Sequence, residues 1–376
     1  MTTTAPTPSG TLDEVTRIVR NAGLMDTRPG YYAWKIPLNF LLLSVGWAVF
    51  AVLGDSWWQL AVAAYLAFCF GQTGLIGHDA GHRQIVRTRR GTDLLGHFHG
   101  NLLTGVSFGW WVGHHTAHHN YPNHLKLDPD ILRRQVIFDA GQREQRTSRA
   151  ARFIVRHQSW MFFVLITLEG VRLHMSGYVA ARRGALKKYR RTELAVLTLH
   201  LAAYFAAVFY VLSPAKAVAF ILVHQLLFGF YMGLLFAPNH KGLPVRDGET
   251  EELDWLTRQV ITSRNLRPGP VTDFFYGGLN YQIEHHLFPS MPRTSLHRAQ
   301  PLVKEFCLRG GLPYAEVSLI ASYREVSGYL GDISAVVGGL EGTASTPTGD
   351  ASGGHRGPGG SGTAPPSAAP APACPP

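Results

Sequence analysis

The sequence predicts an all-α integral membrane protein in which four transmembrane helices form two hairpins. Four stretches with almost no charge have the length that a helix needs to cross a hydrocarbon core of about 30 Å. Charged residues make up only 16% of the chain, whereas soluble domains carry about 25%. The basic residues lie between the apolar stretches, as expected when they fix the orientation of a membrane protein.

The four predicted spans fall into two pairs. The first pair is Ile36–Gly54 and Trp57–Gly77, and the second is Leu194–Leu212 and Ala215–Phe236. Each pair is joined by a link of two residues. Because so short a link makes neighbouring helices run antiparallel, each pair predicts a helical hairpin.

Lysine and arginine flank the spans on one side. They are dense before the first span, through the long segment 78–193 and after the fourth span, and nearly absent from the short links. The positive-inside rule therefore places both termini and the long segment in the cytoplasm. No apolar run near the start has the form of a signal peptide, so we expect the first span to act as an uncleaved anchor.

The other segments complete the predicted organisation. Residues 1–30 form a polar N-terminal segment, and residues 31–336 form one membrane domain whose last part, 291–336, is a helical end piece. Phe153–Leu168 is apolar but short and carries Arg156, so we expect an interfacial or buried helix and not a span. Residues 337–376 are rich in Gly, Pro and Ala, a composition that predicts disorder.

Composition excludes several classes of protein. Three widely separated cysteines predict neither a disulfide framework nor a cysteine zinc site. The net charge of +10 is consistent with nucleic acid, anionic lipid or an anionic substrate. No nucleic-acid-binding motif accompanies the charge, and four spans argue against such a role, so the expected partners are membrane lipids and not nucleic acid.

Three histidine clusters stand out among the 18 histidines. In His78-Asp79-Ala-Gly-His82 the two imidazoles are four residues apart and share one helix face. The second cluster is His114-His115-Thr-Ala-His118-His119, in which either His114 or His115 can belong to the ligand set, and the third is Gln282-Ile-Glu-His285-His286. A further candidate is His240, in Pro238-Asn239-His240. All three clusters and His240 lie on the predicted cytoplasmic side.

The number of histidines predicts two metal ions. Imidazole suits iron, copper, zinc and nickel, but seven or eight histidines exceed the four ligands of a tetrahedral zinc. Two six-coordinate metals would use this many and leave room for O2. Nitrogen-ligated iron pairs can support oxidation of an unactivated methylene, whereas the Glu-x-x-His pairs of carboxylate-rich di-iron proteins are absent from the sequence.

Isolated histidines have a simpler interpretation. We expect His97, His99, His157 and His174 to be structural. His200 and His224 lie within predicted spans, where they are either structural or a bis-histidine haem pair. Asp79 and Glu284 are expected to orient neighbouring histidines and not to bind metal themselves.

The three clusters resemble the histidine boxes of the membrane fatty acid desaturase family, and the third has the glutamine form typical of front-end desaturases. Flanking residues are also similar, and the resemblance runs from about residue 30 to residue 330. It implies four spans, a cytoplasmic helical cap and two irons. The implied ligands are His78, His82, His115, His118, His119, His240, His285 and His286, with Gln282, Asn239, Asp79 and His114 as neighbours or further ligands.

The resemblance also implies a reaction and its partners. A saturated acyl chain, carried as acyl-CoA or in a lipid, would react with O2 and two electrons to give a cis double bond and water. The His-Pro-Gly-Gly haem motif of fused cytochrome b5 domains is absent from the sequence, so the electrons are expected from a separate ferredoxin, cytochrome b5-like protein or flavin reductase. The composition and the similarity to mycobacterial acyl-CoA desaturases suggest a bacterial cell membrane.

Two rival functions fit part of the pattern. A lipid hydroxylase or ketolase would use the same scaffold and insert oxygen where a desaturase removes a second hydrogen. A metal carrier or transporter would place its ligands near the bilayer midplane, whereas these clusters lie at or beyond the predicted ends of the spans.

Overall fold

A computed structural model describes residues 10–132, 136–186, 188–247 and 253–344. Almost all of the regular secondary structure in the described residues is helical. Its helices are α1 (Leu12–Asn21), α2 (Pro29–Leu53), α3 (Gln59–Gly81), α4 (Arg89–Gly96), α5 (Phe108–Asn120), α6 (Arg149–Arg156), α7 (Gln158–Leu165), α8 (Glu169–Arg182), α9 (Arg190–Val211), α10 (Pro214–Phe236), α11 (Trp255–Ile261), α12 (Pro270–Tyr276), α13 (Gln282–Leu287), α14 (Arg293–Arg309) and α15 (Leu319–Ala344).

Short irregular elements connect these helices. A π-helical segment, His97–Thr104, joins α4 to the loop before α5, and 3₁₀ turns occupy Ala140–Gln145 and Ile166–Leu168. Two short strands, β1 (Asn265–Leu266) and β2 (Glu316–Val317), pair in parallel. They join the segment between α11 and α12 to the segment before α15.

Four helices in the described residues, α2, α3, α9 and α10, are long and apolar enough to cross a membrane. They coincide with the four predicted spans, although α2 begins seven residues before the predicted Ile36. Pro29 occupies its first turn, where a proline needs no amide hydrogen bond. Helix α3 is the most enclosed of the four because it packs against both α2 and α10.

The outer faces of these helices expose large apolar side chains. Val52 is 89% exposed, and Trp58 and Tyr210 at the helix ends are 75% and 91% exposed. Soluble monomers rarely expose apolar surface on this scale. The exposed belt is therefore the surface that a hydrocarbon core would cover.

The fifth apolar stretch is not one of these four helices. It is divided among α6, α7 and a 3₁₀ turn, with a break at His157. Helix α7 has eight residues, a length of about 12 Å that falls well short of a bilayer core. It packs against α15, where the Gln158 side-chain amide donates to the Leu330 carbonyl oxygen at 3.2 Å.

A second apolar core lies beyond the ends of the long helices. Val15 and Val19 of α1, Val260 of α11 and Val303 of α14 are fully buried there with much of α13. We call this unit the cap. It surrounds α13, which carries the last histidine cluster.

Buried Arg264 links the cap to the end of α10. Its guanidinium donates to the carbonyl oxygens of Pro238 and Lys241 and pairs with Glu325 of α15. These contacts hold the turn that contains His240. Helix α15 continues to Ala344, past the boundary at residue 337 where the sequence predicts a disordered tail, and residues 345–376 lie outside the described part of the chain.

Candidate metal centre

Four elements bring the predicted histidines together. His78 and His82 lie at the end of α3, and His115, His118 and His119 lie on the last turns of α5. The other contributors are the turn after α10, with His240, and α13, with His285 and His286. Helical spacing within each cluster turns its imidazoles to one side, so four short segments meet around a common space.

The histidines form two neighbouring groups. We call them the four-histidine group (His78, His82, His115 and His285) and the three-histidine group (His118, His240 and His286). Within each group, one ring nitrogen of every member lies within 4.8 Å of the others. His119 lies between the groups, with its ring centroid 4.5 Å from that of His115 and 4.2 Å from that of His286.

Hydrogen bonds fix the ring orientation in the three-histidine group. Nδ1 of His118 donates to the Asp128 carboxylate at 3.1 Å, and Nδ1 of His240 donates to the Thr262 carbonyl oxygen at 2.8 Å. Nδ1 of His286 donates to Oε1 of Gln259 at 2.8 Å. Each donation leaves Nε2 with a lone pair directed into the group, as in metal sites whose histidines are oriented by outer partners.

The arrangement of lone pairs fits bound cations. Nε2 of His118 and Nε2 of His240 face each other at 3.3 Å, a contact that either a shared proton or a bound cation would satisfy. In the described residues, Nε2 of His78, His82 and His286 and both ring nitrogens of His285 have no hydrogen-bond partner. Buried polar atoms without partners are rare in proteins, and a metal ion would satisfy them.

The charge states also favour metal binding. Burial holds the pKa values of His82, His115 and His285 well below the usual range, with neighbouring imidazoles adding to the effect. These rings are therefore neutral near pH 7, which is the form that binds metal. His118 is the exception, since burial opposes its protonation but the Asp128 carboxylate outweighs burial and raises the pKa.

Of the adjacent residues His114 and His115, only His115 joins a histidine group. His115 belongs to the four-histidine group, and its ring stacks on Trp111 with centroids 4.6 Å apart. His114 points away, and its Nε2 lies 3.0 Å from an Asp130 carboxylate oxygen.

Gln282 and Asn239 lie beside the three-histidine group. The Gln282 amide nitrogen is 2.9 Å from Nε2 of His240, and the Asn239 amide donates to Oε1 of Gln282 at 3.2 Å. Gln282 thus occupies the edge of the group where a further ligand would stand.

The two predicted orienting carboxylates behave differently. Asp79 lies 3.5 Å from Nδ1 of His78, and it also pairs with Arg293 and accepts from the Tyr32 hydroxyl at 2.9 Å. Glu284 does not contact a histidine, so that expectation is wrong. Its carboxylate accepts at 2.7 Å from Asn265 and from Tyr314, and Asn265 in turn accepts from the Ile283 amide.

Sequence reasoning missed most of the outer partners. Asp128 lies in the segment Asp128-Pro-Asp130, nine residues after His119, and this position beside the second histidine cluster is the one sequence signal for it. Gln259 also donates to the His119 carbonyl oxygen at 2.9 Å, so one side chain joins α11, α13 and α5. No motif marks Gln259 or Thr262, because their role depends on how α11 packs.

The histidines expected to be structural lie outside both groups. Nδ1 of His99 donates to the Leu95 carbonyl oxygen at 2.8 Å. His174, His200 and His224 form a separate cluster between α8, α9 and α10. There Nδ1 of His200 donates to the Leu102 carbonyl oxygen at 2.7 Å, and the Tyr204 hydroxyl lies 3.1 Å from Nδ1 of His224.

Three small cavities run past the histidine groups, and Phe236 lines all of them. The outer cavity lies beside Phe138, Phe162 and Lys241. The central cavity is lined by rings of both histidine groups. The inner cavity extends along α3 and α10 and is lined by Gly74, Gly77, Phe108, Phe228 and Met232.

A comparison with known protein families agrees with a histidine-rich metal centre of this kind. Residues 55–318 match the model of the fatty acid desaturase family. The chain belongs to the fatty acid desaturase family. The matched range contains every histidine of both groups, so the resemblance inferred from the histidine boxes is confirmed.

Curated relatives are desaturases from plants and animals. The Delta(5) fatty acid desaturase fat-4 of Caenorhabditis elegans is 31% identical over 79% of this chain and 67% of its own length. The Delta(8)-fatty-acid desaturase of Helianthus annuus is 30% identical over 79% and 67%. The Acyl-lipid (9-3)-desaturase of Physcomitrium patens is 29% identical over 77% of this chain, which spans 56% of that relative.

Proposed function

We propose that this protein is a membrane-bound di-iron desaturase that introduces a cis double bond into a fatty acyl chain. The observation that carries the proposal is the pair of histidine groups whose free ring nitrogens converge beside a run of largely apolar cavities. A family of fatty acid desaturases and relatives named for that reaction support it.

Each histidine group would hold one iron, with His119 between them. When bound, the two irons with O2 supply the oxidising power needed to remove hydrogen from an unactivated methylene. Asp128, Thr262 and Gln259 keep the Nε2 atoms of the three-histidine group directed at the metal. Gln282 is positioned either to complete the coordination or to donate to a ligand of the metal.

The substrate would lie along the three cavities. Arg172 and Lys241 line the outer cavity, where a cation would suit the polar end of the acyl group. Trp111, stacked on His115, would press the chain against the four-histidine group and exclude water. Small displacements of a methylene relative to the metal decide between removal of a second hydrogen and insertion of oxygen, so this packing bears directly on the product.

We propose the topology and partners on the same basis. The four long helices would cross a bacterial cell membrane as two hairpins, with the termini, the cap and the metal centre in the cytoplasm. Residues 31–336 would form the desaturase domain, preceded by a polar segment and followed by a dispensable tail. The substrate would be an acyl-CoA or an acyl lipid, and the electrons would come from a separate donor protein.

Lipid profiling by gas chromatography–mass spectrometry tests the proposal. Cells that express the wild-type chain with a compatible reductase are compared with cells that express His118→Ala. We expect new unsaturated acyl chains, each lighter by two hydrogens than its precursor, in the wild type alone. Acyl chains heavier by one oxygen would assign a hydroxylase instead, and an unchanged profile from protein that binds no iron would refute the proposal.

A further inference from the structure

The inner cavity is open because α3 has a glycine where a side chain would fill it. Phe70, Gly74 and His78 are four residues apart, so they lie on one face of the helix. A Cβ atom built on Gly74 would have only the terminal methyl of Met232, at 3.9 Å, within 4 Å. The space above Phe70 and beside His78 therefore depends on the missing side chain.

The deep end of the cavity is closed by two phenylalanines. Phe70 and Phe228 are each 1% exposed, and their ring centroids are 5.9 Å apart. Phe228 lines the cavity directly, whereas Phe70 stands one helical turn deeper than Gly74. We call this pair the floor.

A polar layer lies behind the floor. The ring of His224 is 4.6 Å from that of Phe70, and the ring of His174 is 5.9 Å from that of Phe228. Gln225 lies within 3.4 Å of a ring nitrogen of each of these histidines. An alkyl chain that passed the floor would separate hydrogen-bonded polar groups in a low-dielectric interior, which is unfavourable.

The two ends of the cavity run differ in polarity. The outer cavity contains Arg172, Lys241, Glu169 and Asp130, whereas the inner cavity is lined by apolar or small side chains apart from His78, Thr104 and Ser107. The methyl end of an acyl chain therefore suits the inner cavity. The inner cavity measures only about 50 Å³, so even one added side-chain carbon would occupy a substantial part of it.

We infer that Gly74 and the Phe70–Phe228 floor are specificity determinants that set how many carbons of the acyl chain fit beyond the metal centre. The inference rests on the proposed function, because it assigns the inner cavity to the methyl end of the substrate. A larger residue at Gly74 raises the floor, and a smaller residue at Phe70 lowers it.

Direct binding tests this inference without turnover. The full-length protein in nanodiscs is titrated with saturated fatty acids of increasing length, which displace a fluorescent fatty acid. For the wild type we expect affinity to rise by roughly fourfold per added methylene until the chain reaches the floor, and then to level off. In Gly74→Ala and Gly74→Val the affinity should stop rising at progressively shorter chains, and in Phe70→Ala it should stop rising at longer ones. We call the chain length at which the affinity stops rising the limiting chain length.

The control is Gly328→Val. Gly328 is a helical glycine of α15 whose added Cβ meets nothing within 4 Å. The limiting chain length of Gly328→Val should therefore equal that of the wild type. Thermal unfolding verifies that each variant is folded, and Gly74→Ala is the variant with the least steric change. If folded Gly74→Val shows the same limiting chain length as the wild type, the inference is overturned and the proposed function stands. A wild type whose affinity for fatty acids does not rise with chain length would also overturn the inference, without excluding an acyl-CoA or acyl-lipid substrate.

Discussion

Each histidine of the candidate centre has two ring nitrogens, and the structure uses them for different purposes. In His118, His240 and His286 the Nδ1 atom donates to a protein oxygen, so the Nε2 atom is left for a metal. Spacing in the sequence identifies which imidazoles share a helix face, but the partner of the second nitrogen comes from another element. The chemistry of a single residue therefore depends on both.

Adjacent His114 and His115 provide a test at the scale of one residue. His115→Ala should lower the iron content per chain, since it removes a member of the four-histidine group. His114→Ala should leave the iron content close to the wild-type value, because its ring lies against Asp130. Elemental analysis of the purified variants measures both, and equal losses would show that His114 also binds metal.

Asp128 should control metal affinity without binding metal. Asp128→Asn removes the charge that orients His118, and outer partners of this kind are worth roughly 10- to 100-fold in metal affinity. Competition with a chelator measures the change. Asp254→Asn is the matched control, because Asp254 caps α11 and asparagine caps a helix about as well as aspartate. A similar loss in both variants would contradict a specific role for Asp128.

Buried His174 should make the protein less stable in acid. Burial lowers its pKa to about 4, with the neighbouring His200 ring adding to the effect, and the unfolded value is near 6.5. The unfolded state therefore binds a proton that the folded state does not, and the free energy of unfolding falls between about pH 6.5 and pH 4, by up to about 3 kcal/mol. His174→Gln should show a shallower loss in thermal unfolding measured across this range, and an unchanged slope would contradict the assignment.

At the scale of helices, glycines permit the close contact of α10 with the turn before α8 and with the start of α8. A Cβ atom on Gly229 would lie 2.1 Å from the Thr167 carbonyl oxygen and 2.6 Å from the Gly170 amide nitrogen. Both neighbours are backbone atoms, so they cannot move as a side chain can. The contact resembles the packing of small residues between membrane helices.

Gly229→Ala should therefore destabilise the fold. Relieving this overlap requires the helices to separate, which typically costs about 1–3 kcal/mol. Gly328→Ala in α15 removes a glycine of similar helical context without steric overlap, so it should be neutral or slightly stabilising. Thermal unfolding of the two variants gives the comparison, and equal melting temperatures would contradict the close contact.

For the whole molecule, the proposed topology places the candidate metal centre and the cap on the cytoplasmic side of the membrane. In a variant without Cys69, Cys307 and Cys374, Ser56→Cys lies in the short link between α2 and α3, and Arg309→Cys lies at the end of α14 in the cap. An impermeant maleimide added to intact cells should label Ser56→Cys and spare Arg309→Cys until the cells are opened. The reverse pattern would invert the proposed topology.

The sequence by itself determined the four long helices and the histidine boxes. Hydropathy over about 20 residues and spacings of three or four residues are local properties, so the structure and the family match agree with them. Local charge and length likewise predict that Phe153–Leu168 is not a span, and the structure divides this stretch among short helices. Helix α15 continues past residue 336, where the sequence predicts the tail to begin, and its middle packs against α7 through Ser327 and Leu330.

Only the tertiary structure decided how the histidines are grouped and what surrounds them. His118 and His240 are 122 positions apart, yet their ring nitrogens meet at 3.3 Å. The choice of His115 over His114, the contacts of Glu284 with Asn265 and Tyr314, the role of Gln259 and the depth of the cavity below His78 likewise depend on contacts between distant elements. No local pattern encodes them, because each follows from how α3, α5, α10 and α13 pack around one shared space.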